Sequence, residues 1–209
     1  MILLLDAANT IIHKPDFYIK LIEVLNKYNL NVEKGDVKKM HKIVSEYFHF
    51  PDRTSKDFYA IFNKELLYGM GIISTPEMLE DIYKACSYLE WEKFDDTKYL
   101  TKIECDKFIL SNFNKELNTI LDRLFSGVFQ STIISEIEGL RKPDPHFFKK
   151  AIELLGVEPS EIIYVGDSIK LDLEPGLKAG MNAWLIDRED YYPYCKRRLR
   201  TLEDITNIF

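Results

Sequence analysis

Asp6 ends the apolar run Ile2-Leu3-Leu4-Leu5, and it is the first of several chemically competent residues placed where hydrophobic segments stop. Ser111 and Asn112 close Lys107-Phe108-Ile109-Leu110, and Gly166-Asp167-Ser168 close Ile162-Ile163-Tyr164-Val165, with Asp172 shortly after. Lys142 lies in the loop Arg141-Lys142-Pro143-Asp144-Pro145, which opens a helical pattern. These positions offer carboxylates from two segments, a hydroxyl and a cation. Clustered carboxylate oxygens with few soft ligands suit a hard cation such as Mg²⁺. A single aspartate at a strand end is ordinarily a turn residue, whereas several at matching ends are expected to converge on one site.

Convergence requires a particular scaffold. Short continuous apolar runs that end in polar turns read as central strands of a parallel sheet. Besides the three already named, Ala183-Trp184-Leu185-Ile186 has this form, and 128–134 is a weaker fifth candidate. Helical patterns alternate with them at 114–125, 145–155 and 171–179. The second of these opens with Asp144 as N-cap and Pro145 at the first helical position, and Gly156 closes it. Strand–helix alternation of this kind implies a parallel sheet covered by helices on both faces. In such sheets ligands bind beyond the carboxyl ends of the strands.

Residues 14–98 break the alternation. They contain no convincing strand, and amphipathic helical patterns span about 16–28, 35–48, 55–68 and 76–89, the last introduced by Ser74-Thr75-Pro76-Glu77 with capping-box spacing and an early proline. The expected organisation is an α/β, Rossmann-like parallel sheet core, 1–13 and 99–209, carrying an inserted all-helical domain, 14–98.

The bulk properties narrow the function classes. A net charge of −6 over 209 residues argues against nucleic-acid binding through a basic surface. The dense cluster Lys196-Arg197-Arg198 with Arg200 reads as a solvated helix face. No segment approaches the roughly 20 apolar residues needed to span a bilayer, so no membrane partner is expected. Cys86, Cys105 and Cys195 are sparse and unpaired in spacing, which fits reduced thiols and a cytoplasmic location. The four histidines show no metal-ligand spacing.

At these residues the chain resembles the haloacid dehalogenase-like (HAD) hydrolases. The family's strand followed by D-x-D-x-T corresponds to Leu3-Leu4-Leu5-Asp6-Ala7-Ala8-Asn9-Thr10, and its strand ending in Ser or Thr to Phe108-Ile109-Leu110-Ser111-Asn112. Its lysine motif is Lys142-Pro143-Asp144-Pro145, and its G-D-S-x-x-x-D motif runs from Gly166-Asp167-Ser168 to Asp172, followed by Gly176, Ala179 and Gly180. The helical insert falls where the family carries its C1 cap. The resemblance implies that Asp6 is a nucleophile that takes up a phosphoryl group. It further implies that Asp6, the backbone carbonyl of Ala8 and Asp167 hold Mg²⁺, with Asp172 supporting it. Ser111 and Lys142 would bind the phosphoryl oxygens, with Asn112 completing the phosphate-binding set.

One position departs from the pattern. Family phosphatases carry a second aspartate two residues after the nucleophile, which protonates the leaving group and then activates water. Ala8 can do neither, and such acid–base catalysis is worth about 10²–10⁴-fold. Asn9, where glycine is frequent, tolerates unusual backbone angles. The reading adopted is a Mg²⁺-dependent hydrolase of a small phosphorylated metabolite, monomeric or homodimeric. The alternative is a catalytically impaired binding or regulatory protein. Phosphonatase-like or 2-haloacid dehalogenase activity ranks lower, because dehalogenases tend to lose the acidic pair corresponding to Asp167 and Asp172. Without a cation, that pair would repel Asp6 and raise its pKa.

Overall fold

Strand β1 (Ile2–Leu5) is buried along its whole length. Because successive side chains point to opposite faces, burial of Leu3 and Leu5 on one face and Leu4 on the other requires cover on both. A computed structural model describes residues 1–208 and supplies that cover. Strands β4 (Lys107–Ser111), β5 (Ser131–Ile134), β6 (Ile162–Gly166), β7 (Asn182–Ile186) and β8 (Arg198–Leu199) complete a sheet of order β5-β4-β1-β6-β7-β8. Every pairing in it is parallel. The chain builds β4 and β5 on one side of β1 and β6 to β8 on the other, so the order reverses at β1. That reversal opens a crevice beyond the carboxyl ends of β1, β4 and β6, the usual ligand position in open α/β sheets.

Between these strands run α5 (Glu116–Phe125), α6 (Ser135–Glu138), α7 (Pro145–Leu155) and α8 (Glu174–Lys178). Helix α7 starts and stops as its sequence predicts. The Asp144 side chain accepts from the His146 N–H, Pro145 takes the first position, and Gly156 ends the helix at φ 66°. Its Phe147, Phe148 and Ala151 pack with Leu4, Leu110, Tyr164, Ala183 and Leu185 in one core cluster. The pattern at 171–179 begins earlier than expected, in a π-helical turn at Ile169–Leu173 that runs into α8.

Residues 14–91 form a second compact unit, the first comprising 1–13 and the chain from Glu92 onward. Helices α1 (Phe17–Lys27), α2 (Lys34–Tyr47), α3 (Lys56–Gly69) and α4 (Pro76–Cys86) bury Leu21, Leu25, Val37, Leu66, Leu67 and Ile82 among themselves. Thr75, rather than Ser74, caps α4 by accepting from the Met78 N–H.

The helical unit ends before the boundary at 98. Glu92–Lys93 form β3, antiparallel to β2 (Ile12–His13), and this short ladder ties the departing and returning chain together. The following 3₁₀ segment, Asp95–Lys102, packs on the C-terminal 3₁₀ segment Leu202–Asn207 of the first unit. The basic cluster is not a helix face either. Arg198 lies in β8 and pairs with Asp187 and Asp190, while Arg197 donates to Asn182 Oδ1.

Candidate active site

Asp6 leaves the end of β1 with its carboxylate buried and hydrogen-bonded on both oxygens. Oδ1 accepts from Lys142 Nζ at 2.7 Å and Ser111 Oγ at 3.1 Å, and Oδ2 accepts from Thr10 Oγ1 at 3.3 Å. Lys142 reaches in from the loop before α7 and also donates to Asp172 Oδ1 at 2.6 Å. Both its ion pairs are buried, with side-chain exposures of 2–7%. Asp167 follows β6, and one carboxylate oxygen each from Asp6, Asp167 and Asp172 lie within 4.8 Å of one another.

Asp172 is fixed from several sides. Its Oδ1 accepts from the Tyr164 hydroxyl at 2.5 Å as well as from Lys142, and its Oδ2 accepts from the Ser168 N–H at 3.0 Å. Gly166 makes this approach possible. A Cβ there would come within 2.2 Å of Asp172 Cγ, so glycine serves here for space.

The charges follow from this packing. Burial pushes the Asp6 carboxyl up to about 6 from 3.8. Lys142 opposes the rise, and Asp172 and Asp167 add to it. Burial works against the charge on Lys142, but Asp172 and Asp6 outweigh it and hold the ammonium above its ordinary range. Burial, then Asp172 and Asp6, push the Tyr164 hydroxyl well above its usual value, so it keeps its proton and donates it. Three carboxyl groups face one ammonium in a largely desolvated place, so acidic groups outnumber the cations that could balance them. A hard cation is the natural complement, and the all-oxygen donor set suits Mg²⁺. The loop after β1 offers a further oxygen, the Ala8 carbonyl, since the loop's own backbone bonds run to the Ala7 and Ile12 carbonyls.

The fold thus brings Asp6, Ser111, Lys142, Asp167 and Asp172 together from four separate stretches of chain. Asn112, expected in the phosphate-binding set, is held by its side chain. Its Nδ2 donates to the Lys142 carbonyl at 2.9 Å and its Oδ1 accepts from the Lys142 N–H at 2.8 Å, so its side-chain amide braces the lysine backbone. Asn9 stands at φ 59°, the left-handed region that asparagine tolerates. Ala8, the residue before it, offers no titratable side chain.

Three further residues touch the site or the loop that leaves it without announcing this in the sequence. Tyr164 reads as strand filling, although alternation places it on the same face as Gly166. Thr10 stands out only as the last letter of a motif. Arg188 carries no local signal, because its partners are Asn9, Thr10 and Asp96.

An α/β sheet with catalytic-type polar groups at a topological switch defines a broad class of ligand-binding and hydrolytic proteins. The family model described as haloacid dehalogenase-like hydrolase matches residues 7–180, and the chain belongs to that family. Haloacid dehalogenase-like hydrolase domain-containing protein 3 of Danio rerio is 28% identical over 133 residues, 59% of this chain and 55% of that protein. A glyceraldehyde 3-phosphate phosphatase of Pyrococcus furiosus is 37% identical over 83 residues, 40% of this chain and 33% of that enzyme. The chain therefore spans about half, or less, of the length of these curated relatives.

Among solved structures, the HAD-hydrolase YfnB from Bacillus subtilis bound to magnesium aligns with a TM-score of 0.67 at 19% identity, covering 99% of this chain and 96% of that one. The L-2-haloacid dehalogenase RSc1362 aligns with a TM-score of 0.71 at 13% identity, covering 100% and 97%. At such identities the likeness concerns the fold. No helix among the described residues is long and apolar enough to cross a membrane.

Proposed function

We propose that the protein is a Mg²⁺-dependent, phosphatase-type hydrolase of a small phosphorylated metabolite, with Asp6 as nucleophile and a slow second half-reaction. The observation that carries this is the buried Asp6 carboxylate, hydrogen-bonded to Ser111 and Lys142 beside Asp167 and Asp172. The phosphatase names of relatives such as the Pyrococcus enzyme support the reaction class.

In this reading Asp6, Asp167 and the Ala8 carbonyl hold Mg²⁺, with Asp172 behind them. The ion supplies charge compensation to the phosphoryl group. The chain's own groups do the rest. An Asp6 oxygen attacks phosphorus, the bond to the leaving oxygen breaks, and that oxygen takes a proton from water. Ser111 and Lys142 donate to the phosphoryl oxygens, a preorganised arrangement that stabilises developing charge without rearrangement. Water then attacks phosphorus, releasing phosphate and restoring the carboxylate. In family phosphatases an aspartate at position 8 assists both proton transfers, so Ala8 slows both. The second step depends wholly on water, and the phosphorylated Asp6 accumulates. The helical unit stands in this reading as the C1-type cap that selects the substrate.

Ala8 also favours a second reading, a phospho-ligand-binding protein without turnover. One kinetic experiment separates them: small phosphomonoesters are incubated with Mg²⁺ and the wild type, Asp6→Asn or Ala8→Asp, and product is followed from the first turnover. The enzyme reading expects a burst close to one equivalent and then slow release in the wild type, none in Asp6→Asn, and turnover faster by about 10²-fold or more in Ala8→Asp. Binding of the same esters with no wild-type product favours the second reading, and chloride release from 2-haloacids without metal refutes both.

A further inference from the structure

Arg188 follows β7 and lies outside every motif that builds the site, yet its guanidinium grips the loop that leaves Asp6. Its Nη2–H donates to the Thr10 carbonyl at 2.8 Å and its Nη1–H to the Asn9 carbonyl at 3.2 Å. Nε and Nη2 also form a two-pronged pair with the Asp96 carboxylate, each at 2.9 Å. The guanidinium carbon lies over the Phe94 ring, 3.9 Å from its centroid, and that ring stacks in turn on His13 at 4.0 Å. Asp96 is itself anchored, accepting from the Leu202 N–H at 3.1 Å. The pair is mostly buried, with side-chain exposures of 19% and 13%.

The gripped loop is short and tightly wound. The Ala7 carbonyl accepts from the N–H groups of Thr10, Ile11 and Ile12, Asn9 turns at φ 59°, and Thr10 reaches back to Asp6. Ala8 sits between Ala7, held from inside the loop, and Asn9 and Thr10, held from outside by Arg188. Its carbonyl belongs to the Ala8–Asn9 peptide, whose N–H donates to the Ile12 carbonyl at 2.7 Å, and the peptide that follows is pinned by Arg188 through the Asn9 carbonyl.

We propose that Arg188 is a positioning residue that fixes the Ala8 carbonyl and the Thr10 hydroxyl beside the Asp6 carboxylate, with Asp96 orienting Arg188. This rests on the Mg²⁺ reading given above. The task suits arginine and not lysine, because two carbonyls, a carboxylate and an aromatic face must be met at once by one planar group. A lysine ammonium in its place would reach one carbonyl and leave the other free to swing.

The test measures Mg²⁺ binding directly by calorimetry on the whole chain, with circular dichroism and a metal-free melt to establish folding. Arg188→Lys and Asp96→Asn are compared with the wild type, with Asp6→Asn, and with Arg197→Lys as a matched control. Arg197 also donates to a main-chain carbonyl, that of Ala183, and lies over an aromatic ring, that of Trp184, but has no link to the loop. The expected result is a loss of Mg²⁺ affinity of about 10-fold or more in Arg188→Lys and in Asp96→Asn, as for other groups that orient metal ligands, with Arg197→Lys unchanged. Should Arg188→Lys fail to fold, Asp96→Asn carries the comparison alone. Wild-type affinity in the folded variants, with Asp6→Asn impaired, overturns the proposal while the Mg²⁺ reading stands. Equal loss in Arg197→Lys reduces the effect to general destabilisation and also overturns it. No Mg²⁺ binding by the wild type removes the metal reading and this proposal together.

Discussion

Burial opposes the charge on Asp6, Lys142 offsets part of that cost, and the neighbouring Asp172 and Asp167 add to it, so the carboxyl ionises near 6 in the fold and near 3.8 in the unfolded chain. Between those values the folded state holds the extra proton. A group raised in this way favours folding most at low pH, and its contribution falls as pH climbs from 3.8 through about 6. Lys142 is raised as well, and its contribution is lost only above its ordinary range. The metal-free wild type should therefore lose stability relative to Asp6→Asn as pH rises across that acidic window, measured by urea unfolding. Added Mg²⁺ should stabilise the wild type increasingly above about 6, because its ligands must be deprotonated to bind. Parallel pH profiles for the two proteins would refute this account of Asp6.

At the scale of elements, glycines at two positions separate space from propensity. In β6, Gly166 admits Asp172, and a Cβ would overlap its carboxyl group; in α2, nothing lies within 4 Å of the place a methyl group on Gly35 would take. Gly166→Ala should destabilise by about 1–3 kcal/mol through overpacking and weaken Mg²⁺ binding by displacing Asp172. Gly35→Ala should stabilise by about 0.4–1 kcal/mol and leave binding untouched. Urea midpoints and Mg²⁺ titrations decide both, and a neutral Gly166→Ala would mean that Asp172 can shift freely. The same contrast explains what is legible in the sequence. The central strands β1, β4, β6 and β7 are apolar runs because both their faces are buried, and the polar residues that end them therefore mark the site. Strand β8 is hidden, since two residues beside a basic cluster carry no period, and what draws Arg198 into the sheet is a pair of aspartates earlier in the chain. Asn112 illustrates the same limit within the site: its neighbour Ser111 announces a phosphate-binding strand end, but the bracing of Lys142 depends on a loop some 30 residues on.

At the scale of the whole molecule, two hydrophobic clusters among the described residues share no residue. Leu4, Phe147, Tyr164 and Leu185 belong to the sheet cluster, and Leu21, Leu25, Leu66 and Ile82 to the helical one. Leu66 is fully buried in α3, so Leu66→Ala should cost about 2–5 kcal/mol through lost contacts and a residual cavity. Where that cost is felt depends on how far folding is shared. Stability divides into cooperative units that open separately when their cores are distinct, and the metal ligands assigned here all lie in the first unit. The expected outcome in native-state hydrogen exchange is faster exchange in α1, α3 and α4, with protection kept by the amides of Leu4 and Tyr164. Mg²⁺ affinity should be unchanged. Equal loss of protection in β1 and β6 would show that the two clusters unfold as one, and the helical unit would then be a structural necessity of the sheet instead of a separable element.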